Sequence, residues 1–184
     1  MEHLEIIKAG PDDVFKLQEI GRTTFYETFS PFNKEENMKE YLFHSFSTEK
    51  LKKELNDDNS RFYFAYIGNT LAGYLKVNWG RSQTEIKDSF GLEIERIYVL
   101  KEYQGRRIGQ LLYEKAIDIA RKRSAGYVWL GVWENNHKAL RFYRKNGFEE
   151  FDRHVFRLGK ESQTDLMMKL DLDKQQDPAN GNAL

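Results

Sequence analysis

Glu93-Ile94-Glu95-Arg96-Ile97-Tyr98-Val99 runs into Leu100-Lys101-Glu102-Tyr103 and then into Gln104-Gly105-Arg106-Arg107-Ile108-Gly109-Gln110-Leu111-Leu112. An apolar strand ends in a basic, glycine-bearing turn, and the turn opens an amphipathic helix. The apolar positions Ile108, Leu111, Leu112, Ala116, Ile119 and Ala120 fall on one face of that helix. Such a junction leaves the first N–H groups of the helix unpaired and brings the positive end of its dipole to one spot. That spot suits a phosphate or pyrophosphate. A P-loop does not fit, because no Gly-Lys-Ser/Thr follows. A dinucleotide fingerprint does not fit either, because G-x-G-x-x-G is absent. Taken alone, Gly105 and Gly109 fit equally well a tight strand-to-helix turn with no ligand.

Outward from this junction the pattern is regular. Strands are predicted over Leu4 to Ala9, Arg61 to Ile67, Leu71 to Trp79, Leu92 to Val99, Tyr127 to Trp133, Phe148 to Leu158 and Thr164 to Leu170. Gly68-Asn69 joins the second and third strands as a two-residue hairpin. Helices are predicted from Pro11 to Thr24, Lys34 to His44, Ser47 or Thr48 to Leu55, Gln104 to Arg123 and Asn136 to Asn146. Gly147 stops the last of these. Arg81 to Phe90 is polar and is expected to be a mobile loop. Tyr127 to Trp133 is almost wholly apolar, so burial on both faces is expected. The order β α α α β β β α β α β β implies an α/β fold with a mixed sheet and helices on both faces. One domain is expected over residues 1–172, with a polar, disordered tail over 173–184.

A second segment bears on the same ligand. Trp133-Glu134-Asn135-Asn136-His137-Lys138-Ala139-Leu140-Arg141-Phe142-Tyr143-Arg144-Lys145-Asn146-Gly147-Phe148 follows the apolar strand. Asn136, Ala139 and Tyr143 are three and four residues apart and share one helix face. A tyrosine there is placed to reach a ligand lying between the two strands; the plainer alternative is a buried core aromatic whose hydroxyl finds a partner.

Taken together, the two segments resemble the GNAT superfamily of acetyl-CoA-dependent N-acetyltransferases. The family pattern is Arg/Gln-x-x-Gly-x-Gly/Ala at a strand–helix turn, then Asn-x-x-Ala-x-x-x-Tyr on a helix ending in Gly-Phe. The chain matches it with Gln104 to Gly109, with Asn136 to Tyr143 and with Gly147-Phe148, and the likeness extends over residues 4–171. Two positions depart: Arg107 stands where the family usually has its middle glycine, and Lys101 where many members have proline. Leu92 to Tyr98, Trp129 to Glu134, Gln163 to Leu166 and Asn37 to Leu42 are further similar to the bacterial PaiA-type spermidine/spermine N-acetyltransferases.

The resemblance implies a V-shaped split between the fourth and fifth strands that takes acetyl-CoA, with no metal. It implies that backbone groups of Ile97, Tyr98 and Val99 bind the pantetheine and thioester carbonyl. The N–H groups of the turn carrying Gln104, Gly105, Arg106, Arg107, Ile108, Gly109 and Gln110 would hold the pyrophosphate, Asn136 the pantetheine arm and Lys145 the outer phosphates. An amine attacks the thioester directly, and its ammonium must lose a proton first. Glu95 is the candidate base, through a water; Glu93, on the same strand face at period two, is a backup or a cation-binding group. Both glutamates admit a plainer reading, an ion pair with Arg96 or Lys76. Tyr143 would protonate or hydrogen-bond the leaving thiolate.

Composition narrows the partners. Acids and bases number 29 each, so net charge points to neither nucleic acid nor an anionic membrane. No run of about 18 apolar residues is present, so no membrane span is expected. The absence of cysteine excludes disulfides and thiolate catalysis, and suits a cytoplasmic location. His3, His44, His137 and His154 lack metal-ligand spacing. The expected acceptor is a small amine, polyamines preferred, with Glu35, Glu36, Glu85 and Asp88 as candidate ammonium partners. A protein or peptide amine, and a non-catalytic acyl-CoA-binding regulatory module, stay open as alternatives. Homodimers are common in the family, and the final strands offer an edge for pairing.

Overall fold

The structure, a computed structural model, describes residues 3–172; the tail expected from 173 onward lies outside the described residues. Seven strands and five helices follow the predicted order. They are β1 (Leu4–Lys8), α1 (Val14–Phe29), α2 (Glu35–Ser45), α3 (Thr48–Leu55), β2 (Ser60–Ile67), β3 (Thr70–Trp79), β4 (Gly91–Val99), α4 (Ile108–Lys122), β5 (Tyr127–Trp133), α5 (His137–Lys145), β6 (Glu149–Leu158) and β7 (Glu161–Asp171).

The two helix boundaries that differ most from the sequence pattern do so for physical reasons. α1 continues past Thr24 to Phe29, because Phe25 and Phe29 extend its buried stripe and pack against each other with ring centroids 4.4 Å apart. α4 begins at Ile108 rather than Gln104, because Gly105 (φ +83°) and Arg107 (φ +64°) are left-handed and cannot belong to a right-handed helix. Its buried face takes in Tyr113 and Ile117, while Leu111 is only half-buried.

The sheet order is β1-β2-β3-β4-β5-β7-β6. Every neighbouring pair is antiparallel except β4 and β5, which run parallel. That parallel ladder holds only Gly91↔Tyr127, Leu92↔Val128 and Glu93↔Trp129; beyond them the two strands separate. The cause lies one strand away. In the β3–β4 ladder Lys76 pairs with Arg96 and the next residue, Val77, pairs with Ile94, so Glu95 is a bulge without a partner. A bulge bends its strand and increases the local twist, and here it falls where β4 leaves β5. It also changes the parity of the strand: Leu92 and Ile94 pack on the α4 side before it, Ile97 and Val99 after it.

Each sheet face carries its own core. One, under α4 and α5, contains Leu75, Val77, Ile108, Leu112, Val128 and Leu130. The other, under α1 to α3, contains Leu17, Phe25, Met38, Leu51, Phe62 and Phe64. The segment 81–90 is not a free loop. Gln83 is fully buried; its side chain donates to the Gly80 and Asp88 carbonyls and accepts from Trp129 Nε1 at 2.7 Å. A polar stretch is thus tied to the core by satisfied side-chain hydrogen bonds, which polarity alone did not reveal. In β5, Val128, Trp129, Leu130 and Val132 are buried as expected, whereas Tyr127 and Trp133 at the ends are half-buried and Gly131 is exposed and lines a cavity.

Candidate active site

The split between β4 and β5 opens into two cavities that share Ile97, Tyr98, Asn136, Ala139 and Tyr143. The larger, about 630 Å³, runs along the end of β4, the turn and the start of α4. Ile97, Tyr98 and Val99 line one bank, and Asn136, Tyr143 and Lys145 on α5 line the other. Gln104, Gly105, Arg107, Ile108, Gly109 and Gln110 close its end. Of the residues expected at a CoA site only Arg106 does not line it; its guanidinium lies 5.2 Å from the Tyr103 ring.

The turn has the properties an anion needs. The first bond of α4 is from the Leu111 N–H to the Arg107 carbonyl, so the N–H groups of Ile108, Gly109 and Gln110 lie ahead of it. A Cβ at Gly105 would meet nothing within 4 Å, and one at Gly109 only Val99 Cγ2 at 3.9 Å. The glycines therefore leave backbone open toward the groove. The left-handed φ at Arg107 explains why glycine is the usual residue there, and the arginine keeps the same N–H direction at a conformational cost of about 1–2 kcal/mol. Gln104 Nε2 donates to the Val99 carbonyl and its Oε1 accepts from Lys138 Nζ, tying the turn to α5. Asn136 Oδ1 caps α5 by accepting from the Ala139 N–H at 3.2 Å. A pyrophosphate on the turn and an extended arm along β4 fit these residues.

The smaller cavity, about 360 Å³, is lined by Phe25 and Phe29 of α1 and Tyr41 of α2 and holds four carboxylates, Glu85, Glu93, Glu95 and Asp165. Glu93 is buried and accepts three hydrogen bonds, from the Thr84 N–H, Thr84 Oγ1 and Asn78 Nδ2. Burial raises its pKa, the neighbouring Glu95 charge adds to this, and the three hydrogen bonds oppose without cancelling it. Glu95 has a different environment. Its Oε2 lies 2.6 Å from Lys76 Nζ and accepts from Asn78 Nδ2, and its Oε1 lies 3.5 Å from Arg96 Nη2. Burial alone would raise this carboxyl; the two cations and the hydrogen bonds outweigh burial and hold it well below the usual carboxylate range. Glu54 completes this buried network with contacts to both Lys76 and Arg96. The ion pair open on sequence grounds is therefore formed by Glu95 and not by Glu93.

Tyr143 is buried where the two cavities meet. Burial raises its hydroxyl well above the ordinary phenol value, so it carries its proton at neutral pH. Phe29, Phe32 and Trp133 form an aromatic wall beside the smaller cavity. Of the four carboxylates expected to meet a polyamine, only Glu85 lines it. Asp88 accepts from Tyr127 Oη, Glu35 accepts from Tyr26 Oη, and Glu36 is exposed. The cavity also contains Asp165, His154, Thr84 and Gly131, none of which had been assigned a role from sequence. A lone glycine in an apolar strand and a lone carboxylate in the closing strand were the available signals. Among the described residues no group of three or more His, Asp or Glu could hold a metal ion, and no helix is long and apolar enough to cross a membrane.

The comparisons agree with this geometry. Residues 22–148 match the acetyltransferase (GNAT) family. An uncharacterised N-acetyltransferase from the pepI 3' region of Lactobacillus delbrueckii subsp. lactis is 39% identical over 169 residues, which is 92% of this chain and 98% of the relative. Spermidine N(1)-acetyltransferase of Thermoplasma acidophilum is 27% identical over 81% of this chain and 90% of its own length. The crystal structure of PaiA N-acetyltransferase from Thermoplasma acidophilum in complex with coenzyme A superposes with a TM-score of 0.76 at 25% identity, covering 92% of this chain and 99% of that one. A groove shaped for an extended arm and a pyrophosphate, open at Tyr143 to a carboxylate-lined cavity, thus occurs in a chain that belongs to the GNAT family of acetyl-CoA-dependent N-acetyltransferases.

Proposed function

We propose that the protein acetylates a small primary amine bearing additional positive charge, with polyamines such as spermidine or spermine as the acceptor class. The observation that carries this is the smaller cavity, whose carboxylates Glu85, Glu93, Glu95 and Asp165 stand beside Tyr143 and an aromatic wall. A spermidine acetyltransferase and a PaiA structure among the similar proteins support the same class.

When bound, acetyl-CoA supplies the acetyl group as a reactive thioester. The chain must then take a proton from the amine and offer one at the sulfur. Tyr143 is suited to the second task, because its hydroxyl is protonated at neutral pH and lies between the two cavities. For the first, Glu95 faces the cavity, but Lys76 and Arg96 leave it little proton affinity. Glu93 has the raised pKa, faces the same cavity and has no cation partner among the described residues. We therefore assign the proton-accepting role to Glu93, acting through water, and give Glu95 the task of holding Lys76 and Arg96 in place. Glu93, which has no cation partner among the described residues, keeps the cavity attractive to an incoming ammonium.

The test is thiol release from acetyl-CoA with a panel containing spermidine, spermine, monoamines and peptide amines. Spermidine and spermine should be turned over best. Turnover of peptide amines alone would replace this acceptor class. Tyr143→Phe should lower kcat by about 10²-fold or more while leaving acetyl-CoA affinity within a few-fold; equal turnover would remove the hydroxyl from the mechanism.

A further inference from the structure

We propose that Asp165 binds a second cationic nitrogen of the acceptor, further along β5 than Glu93, with Glu85 reaching toward it from beside Thr84. The inference rests on the smaller cavity being the acceptor site and adds to it a length requirement. Glu93 pairs with Trp129 and Asp165 pairs with Trp133, so β5 lies between them and four residues of strand separate their levels. With strands about 4.8 Å apart and a rise of about 3.3 Å per residue, the two Cα atoms are about 16 Å apart. One ammonium cannot bind both carboxylates. Two nitrogens joined by several methylenes can.

Between the two ends lies Gly131, exposed on β5 and lining the cavity. A Cβ there would lie 3.6 Å from Asp165 Oδ2 and 3.5 Å from His154 Cε1. Trp133 and Phe156 line the same cavity and suit the methylenes of such a chain. Asp165 differs from Glu95 in lacking a neutralising partner: among the described residues no lysine or arginine forms an ion pair with it. His154 pairs with Asp165 across β6 and β7, and its Nε2 lies 3.7 Å from Glu85 Oε1. Its Nδ1 is buried with no hydrogen-bond partner among the described residues. A half-buried carboxylate with no lysine or arginine partner among the described residues is costly without a ligand, and a substrate ammonium supplies the charge it lacks.

The experiment compares spermidine with n-butylamine as acceptors for the wild type, Asp165→Asn and Glu85→Gln, and measures spermidine binding by calorimetry with CoA present. In Asp165→Asn the ratio of kcat/KM for spermidine over n-butylamine should fall about ten-fold or more, carried by KM. Glu85 is largely exposed, so Glu85→Gln tests the same end without risk to folding, and its ratio should fall less but measurably. A ratio within about two-fold of the wild type in both variants would overturn the proposal. If the wild type acetylates neither amine, the polyamine reading fails and calorimetry decides this one separately. Spermidine binding weakened about ten-fold by Asp165→Asn would sustain the subsite. Equal binding by the two proteins, or none by the wild type, would remove it.

Discussion

Replacing Asp165 by Asn should make the protein more stable, and the gain should depend on pH. Burial pushes this carboxyl up from 3.8 to about 6, with the positive charge of His154 opposing. A group whose folded pKa is raised favours folding in its protonated form. That contribution is fully present below the unfolded value and is lost as pH rises through about 6. Above that point the ionised carboxylate is a liability that Asn does not carry. A difference of about two units at about 1.4 kcal/mol each gives about 3 kcal/mol. Asp165 keeps some solvent contact, so about 2 kcal/mol is the working figure at pH 8, and about half of it at pH 5. In a chain of this size that is a rise in Tm of about 4–8 °C at pH 8. Urea unfolding of both proteins at pH 5 and pH 8 measures it. A gain of the same size at both values, or a loss at pH 8, would refute the assignment of the raised pKa to burial. The gain and the expected loss of spermidine selectivity belong to the same substitution, as for a carboxylate kept in an unfavourable place for a ligand.

Glu93 and Glu95 should separate cleanly. Glu93→Gln should lower kcat/KM by about 10²-fold and alter its low-pH limb, whereas Glu95→Gln should leave the shape of the profile intact. Glu95→Gln should instead cost about 3 kcal/mol in urea unfolding, because Lys76 and Arg96 then share Glu54 alone; a pH profile reshaped by Glu95→Gln but not by Glu93→Gln would reverse the roles. Gly105→Ala should cost about 1–2 kcal/mol through its left-handed φ alone, since a Cβ there has open space. It should also weaken acetyl-CoA binding by misaligning the turn; unchanged affinity by calorimetry would remove that turn from the pyrophosphate site.

The parts of the site that are local in sequence were legible in it. The strand, the basic turn and the α4 start are consecutive, and helical spacing alone puts Asn136, Ala139 and Tyr143 on one face. Arg107 could be singled out as unusual, but its left-handed backbone could not. The acceptor side was much less legible because its residues meet only through strand register. Asp165 faces His154 across a hairpin and lies next to Trp133 because β7 inserts between β5 and β6. Period-two alternation placed Glu93 and Glu95 on one face, and both do reach one cavity. Their different environments follow from a one-residue shift against β3, which no pattern within β4 reveals. Gln83 was hidden for a related reason: burial of a polar side chain depends on partners supplied from elsewhere.

Three residue pairs join β1–β4 to β5–β7 within the sheet. The protein is therefore two half-sheets on a short seam, with unsewn strand edges facing each other beyond it. A ligand lying in that gap and bonding to both edges acts as a stitch, and the cohesion of the two halves becomes part of its binding free energy. Filling the groove should then slow amide exchange at Ile97 to Val99 and along the far edge of β5 together, so that occupancy is felt as stiffness across the whole sheet.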